Sequence, residues 1–169
     1  MKIKTCHYFM EREQAIREHR KMWLWISKQV MKNRKNGESI NIVSLKKDYL
    51  SRNEIYNRFV VTGTQFHEAC FCCTFAYQIS ILQRKRGRNN TEVFCNYCPL
   101  NWYRKRGTYI AYFCSHSIGL YSIVIRKARE YNRNFVYKTS EESEKIARRI
   151  AKICYKIATL PEKEGVINL

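Results

Sequence analysis

Between Glu11 and about Arg34, apolar residues return every three or four positions: Ile16, Trp23, Ile26 and Val30 fall on one face. That period predicts a long amphipathic helix. Asn36-Gly37 follows as the expected stop, because glycine accepts the left-handed backbone that closes a helix. A shorter helix is expected from Ser44 to Arg52, with Ser44 as its N-cap and Leu45 and Leu50 as apolar positions. Arg58–Thr64 (RFVVTGT) reads as a short strand or an extended approach to the next element.

The stretch His67–Leu82 (HEACFCCTFAYQISIL) is expected to become helical after its first turn. Ser115 to about Arg133 is a further helical stretch, although β-branched Val124 and Ile125 weaken its propensity. The last element has the clearest pattern. Thr139-Ser-Glu-Glu142 has capping-box spacing, Ile146, Ile150, Ile153 and Ile157 share a face, and Pro161 ends the run. Lys145, Arg148, Arg149, Lys152 and Lys156 line much of its remaining surface, as either a solvated exterior or a binding face. There is no internal repeat and no low-complexity tail. The pattern predicts a mainly α protein, one compact helical domain over residues 1–169. N-terminal helices occupy 1–60, a zinc-stapled segment 66–114, and C-terminal helices 115–169.

Composition agrees with a packed helical core: the 169 residues are 45% hydrophobic, with only six glycines and two prolines. Charge adds something the pattern does not contain. Thirty-two lysines and arginines against fourteen acids give +18, a field that draws polyanions. Nucleic acid is the first partner class this implies, and an acidic protein surface would answer the same field. The greasiest patch, MWLWI, is far too short to cross a bilayer, so no membrane partner is expected. The amino terminus, MKIKTCHYFMERE, lacks the apolar core of a secretory signal, so a cytoplasmic location with reduced thiols is expected.

Among eight cysteines, Cys70-x-x-Cys73 and Cys95-x-x-Cys98 stand twenty-one residues apart. Two residues between thiolates let one tight turn offer both sulfurs to the same ion, and two such turns complete a tetrahedron. The expectation is one structural Zn²⁺ held by Cys70, Cys73, Cys95 and Cys98, with Cys114 and His67 in reserve. Cys72, next to Cys73, should leave in another direction. Cys6 and Cys154 read as packing residues. A closed four-thiolate site leaves no coordination position for catalysis, and the deaminase H-x-E, the HExxH helix and an Asp-His nuclease pair are all missing. A non-enzymatic role is expected, with a metal-dependent nuclease as a lesser alternative.

Basic loops flank the second cysteine pair. Arg84, Lys85, Arg86 and Arg88 precede it, and Trp102, Tyr103, Arg104, Lys105 and Arg106 follow it. Cations for phosphates beside aromatic faces for bases is the chemistry of nucleic-acid contact. Cys70-Phe-x-Cys73-x-x-Ala76 with Cys95-x-x-Cys98-Pro99-Leu100-x-Trp102 resembles small phage-encoded zinc-binding proteins carrying CFxC…A and CxxCPLxW. That resemblance implies the same four cysteine ligands, packing roles for Phe71, Pro99, Leu100 and Trp102, a viral origin, and hence a host-cell cytoplasm. It implies no activity. It leaves room for a phage interaction protein that docks on, or inhibits, a host or defence protein.

Overall fold

In a computed structural model of the chain, the described residues are 10–59, 70–85, 97–101, 119–133 and 140–164. Six helices account for 80% of them, and no strand occurs among them. Helix α1 spans Arg12–Lys35 and buries Ile16, Trp23, Ile26 and Val30, the four residues its period marks, together with Ala15, His19 and Met22. Its end is closed as the Asn-Gly pair predicts. Gly37 takes φ +72°, its N–H donates to the Arg34 carbonyl at 3.2 Å, and Glu38 N–H reaches back to Asn33 at 2.8 Å. This pair of bonds is a Schellman cap, and the positive φ is why glycine stands there.

Helix α2 spans Ile42–Arg52 and starts earlier than Ser44. Asn41 is the N-cap: its side-chain oxygen accepts from the Ser44 N–H at 3.0 Å, so Ser44 receives a cap instead of providing one. Ser44 and Asn41 are both good capping types, and the β-branched Ile42-Val43 between them disguises the true first turn. Helix α3, Glu54–Phe59, occupies the start of the expected strand. Asn53 caps it by accepting from Tyr56 N–H at 2.9 Å. The rest of that expected strand, 60–64, lies outside the described residues. Helix α4 spans Phe71–Lys85, α5 Leu120–Arg133 and α6 Ser140–Ala158.

The largest interface joins α1 to α6. They run antiparallel: Arg34 bonds Ser140, Ser27 Oγ donates to the Ala151 carbonyl at 2.9 Å, and Arg12 meets Glu162 at 3.0 Å. On α6 the buried face consists of Ser143, Ala147, Ile150, Ala151, Cys154, Ile157 and Ala158. Ile146 and Ile153, expected on that face, are only half-buried at its edge. The buried row is therefore shifted round the helix toward its small residues.

Helix α4 lies against α1, with Gln78 Oε1 accepting from the Met10 N–H at 2.9 Å. Helix α5 packs on α6 and α2. Two clasps complete the frame. Asn132, in the last turn of α5, accepts from Ile40 N–H and donates to Ile40 C=O, each at 2.9 Å. Residues 99–101 pair with 161–163: Asn101 N–H donates to Pro161 at 2.9 Å and Lys163 N–H to Pro99 at 2.7 Å.

Asn132→Leu leaves both backbone groups of Ile40, itself fully buried, without their partner. A net hydrogen bond contributes about 1 kcal/mol, and leaving its partner bare costs more. We expect a loss of roughly 2 kcal/mol in urea unfolding, and Asn132→Asp, which keeps the acceptor, should lose less.

Candidate functional site

Helix α4 begins on the first cysteine pair. Cys70 immediately precedes it, with its carbonyl accepting from the N–H of Thr74 at 2.9 Å and the Thr74 hydroxyl at 3.3 Å. Cys73 falls in the same first turn, so the two sulfurs point to one place and lie 3.4 Å apart. Zinc at about 2.3 Å from each sulfur of a tetrahedron would separate them by roughly 3.8 Å, so this pair fits two ligands of one ion. Cys98 is held by the clasp that follows it at Pro99, and it lies in hydrogen-bonding reach of Cys72. Cys72 also reaches Cys70, and its Sγ lies 3.7 Å from the Ala15 carbonyl on α1. It is fully buried, with Cys70 and Cys98 both in reach, a place its awkward position next to Cys73 did not suggest.

Among the described residues, no group of three or more His, Cys, Asp or Glu side chains is gathered closely enough to hold a metal ion. Cys95, Cys114 and His67 lie outside the described residues, so the four-ligand set cannot be assembled from these positions. The described cysteines are free thiols.

Their surroundings favour the protonated form. Hydrogen bonding from Cys72 draws Cys70 toward its thiolate, but the bond with Cys73, burial and the charge of Cys73 outweigh it and push the Cys70 thiol well up. Burial, with the bonds to Cys70 and Cys98, pushes Cys72 up as well. Cys154, buried in α6 as a packing residue, is pushed up to about 12 by burial. As thiols these groups are poor nucleophiles.

Two polar side chains reach this cluster from other helices, and neither was marked by the cysteine spacing. His19 of α1 is fully buried, hydrogen-bonds the Ile157 backbone of α6, and feels the charges of Cys73, Lys46 and Arg20. Burial pulls its pKa down to about 4, so the ring is neutral. Lys46 of α2 is 4% exposed, with its ammonium 5.0 Å above the Tyr121 ring and within electrostatic reach of Cys70 and His19. Both sit on their helix's apolar row: His19 between Ile16 and Trp23, Lys46 one turn from Ile42 and from Leu50. A polar residue in register with a buried row was the available signal.

Of the expected nucleic-acid contacts, Arg84 and Lys85 form the end of α4. They are not loop residues: no glycine or proline intervenes before Gly87, and cations suit a helix C-terminus. Arg86, Arg88, Trp102, Tyr103, Arg104, Lys105 and Arg106 lie outside the described residues.

Half of the described acids form ion pairs. Glu162 binds Arg12 and Arg20, Glu144 binds Arg148 and Arg34, and Glu18 binds Lys21. Asp48 binds Arg52, and Glu130 binds Lys127. Lys145, Arg149, Lys152 and Lys156 on α6 remain exposed with no ion pair among the described residues, as do Lys28, Lys32 and Lys35 on α1. No described helix is long and apolar enough to cross a membrane. Compared with protein-family models, curated proteins and solved structures, the chain matches none.

Proposed function

We propose that this chain is a non-catalytic nucleic-acid-binding protein, a helical frame that carries a large unbalanced positive charge. The observation that carries the reading is the state of that charge. Half of the described acids are paired with neighbouring arginines and lysines, while rows of cations on α6 and α1 face solvent with no ion pair among the described residues. Self-repulsion of this kind is relieved by a polyanion, whose bound counterions are released on contact. In this reading Cys70, Cys73, Cys95 and Cys98 hold one structural zinc. It fixes the approach of the basic segments around Arg84–Arg88 and Trp102–Arg106 to phosphate and to unpaired bases. The 3.4 Å separation of Cys70 and Cys73 Sγ supports the metal half of the reading.

The test is direct. Nuclease-treated protein should contain about one zinc per chain and bind DNA or RNA with an affinity that drops about 10³-fold or more between 50 and 200 mM salt. Arg84→Ala, Lys85→Ala and Arg86→Ala together should weaken binding and flatten that slope. Unaltered affinity of this triple variant at 50 mM salt would remove the basic segments from the reading. A metal-free, normally folded wild type would remove the zinc.

A further inference from the structure

We propose that the outer face of α6 is a phosphate-contacting surface, in which Lys145, Arg149, Lys152 and Lys156 follow a nucleic-acid backbone and Tyr155 packs against a sugar or base. The proposal rests on the nucleic-acid reading above and places contact on a face separate from the cysteine segment.

Helical spacing makes the row. Residues 145, 149, 152 and 156 are separated by four, three and four positions, so they form one stripe. At 1.5 Å per residue the stripe is about 16 Å long, roughly five phosphate steps of one duplex strand at 3.4 Å each. All four cations are exposed, and the opposite face of the helix is the buried one, so the row is rigidly presented by its own core packing.

The alternative for such a face is an ordinary solvated exterior. Ordinary exteriors mix signs and gain from opposite charges one turn apart. Here the run from Lys145 to Thr159 contains five cations and no acid. Lys145–Arg149 and Lys152–Lys156 place like charges at i,i+4, which weakens an isolated helix. The acids of α6 are confined to its start, and Glu144 is already tied to Arg148 at 2.6 Å and Arg34 at 3.6 Å. Among the described residues, no acid pairs with the stripe.

Tyr155 adds a second kind of group. It is 55% exposed, the most exposed large apolar side chain named among the described residues, and helical spacing places it at the flank of the stripe, beside Lys152 and Arg148. An aromatic with a hydroxyl tip, set among cations, suits a nucleotide better than bulk water. The neighbouring helix extends the field. The register set by Ser27–Ala151 and Arg34–Ser140 puts Lys28 and Lys32 of α1 level with the N-terminal half of the stripe.

The test uses the full chain with Lys145→Gln, Arg149→Gln, Lys152→Gln and Lys156→Gln combined, and separately K152E with K156E. Probes are a 20-base-pair duplex and a 20-nucleotide RNA, labelled for anisotropy, read at several salt concentrations. Unchanged circular dichroism is expected, because every replaced side chain is exposed. Loss of four phosphate contacts should lower affinity at least ten-fold at low salt and reduce the slope of log K on log salt by about 3 to 4. The charge-reversed pair should weaken binding at least as much, and Tyr155→Ala should weaken it without changing the slope. If the wild type binds and both α6 variants keep its affinity and slope, the α6 surface is refuted and the nucleic-acid reading stands. If the wild type ignores both probes, the reading and the surface fall together. A wild type that ignores both but binds polyglutamate through these lysines overturns the proposal in favour of an acidic protein.

Discussion

Trp23→Ala is expected to remove about 3–5 kcal/mol of stability, the range for deleting a large buried aromatic, and to leave little native protein at 37 °C. Total stability of a domain is about 5–15 kcal/mol, so this one change reaches the scale of the whole. Trp23 is 1% exposed, at the centre of the inward face of α1. Its ring meets Tyr121 of α5 edge-on at a centroid distance of 6.0 Å and His19 at 6.3 Å. Its indole N–H has no hydrogen-bond partner among the described residues. The contribution therefore comes from packing, and Trp23→Phe, which keeps much of the ring and drops the bare N–H, should cost far less. Urea midpoints of the two variants check the point, and similar losses for both would show that the N–H matters more than the volume.

Acid should weaken the fold through His19. Its folded pKa is lowered from 6.5 to about 4, mainly by burial. The unfolded chain takes up a proton below about pH 6.5 that the folded ring refuses until about pH 4. Stability therefore rises with pH across that window and falls as acid is added. A shift of this size corresponds to about 3 kcal/mol, complete near pH 4. The charged groups felt by the ring are Cys73 of α4, Lys46 of α2 and Arg20 of its own helix, with the Ile157 backbone of α6 as its hydrogen-bond partner. Exposed Glu144, whose carboxyl is lowered by its hydrogen bond from Arg148, titrates at the acid end and adds to the same trend. Comparing wild type with His19→Gln isolates the histidine, since glutamine can still donate to the carbonyl but cannot titrate. The unfolding free energy of the variant should be nearly flat from pH 6.5 to 4.5. Parallel slopes would assign the acid sensitivity elsewhere.

The fold was legible where local and tertiary demands coincide. On α1 the apolar period, the terminal cations and Asn36-Gly37 all specify the same helix, and they were sufficient. Where two local signals compete, the pattern misled. Asn41 and Ser44 are interchangeable as caps on paper, and only the donor at Ser44 N–H distinguishes them. Helix α3 is a single turn and a half, too short for a period to show, and Phe59 looks equally well like a strand residue. On α6 the isoleucines advertise a face, yet burial follows the alanines and Cys154, because close approach to α1 favours small side chains.

The candidate site was legible in part for the same reason. The Cys70–Cys73 spacing is a property of one helical turn, so sequence was enough to bring those sulfurs together. The positions of Cys72, His19 and Lys46 depend on how four helices meet, which no spacing records. The stripe on α6 could be seen in the sequence as a row of cations, but that no described acid pairs with it depends on neighbours that are distant along the chain.

The pairing of residues 99–101 with 161–163 has a consequence for the order of folding. Leu100 and Glu162 face each other in an isolated bridge, and Glu162 in turn holds Arg12 and Arg20 of α1. The backbone pairing of the segment carrying Cys98 is thus made with residues that the ribosome makes much later. Closing so long a loop is entropically slow, and its reward arrives only after α6 has docked. During synthesis α1 and α4 can meet early, whereas Cys98 must wait for Glu162 before it is fixed beside Cys72. Within the cysteine cluster Cys98 is therefore placed last, after Cys70 and Cys72, whose helix can dock on α1 earlier.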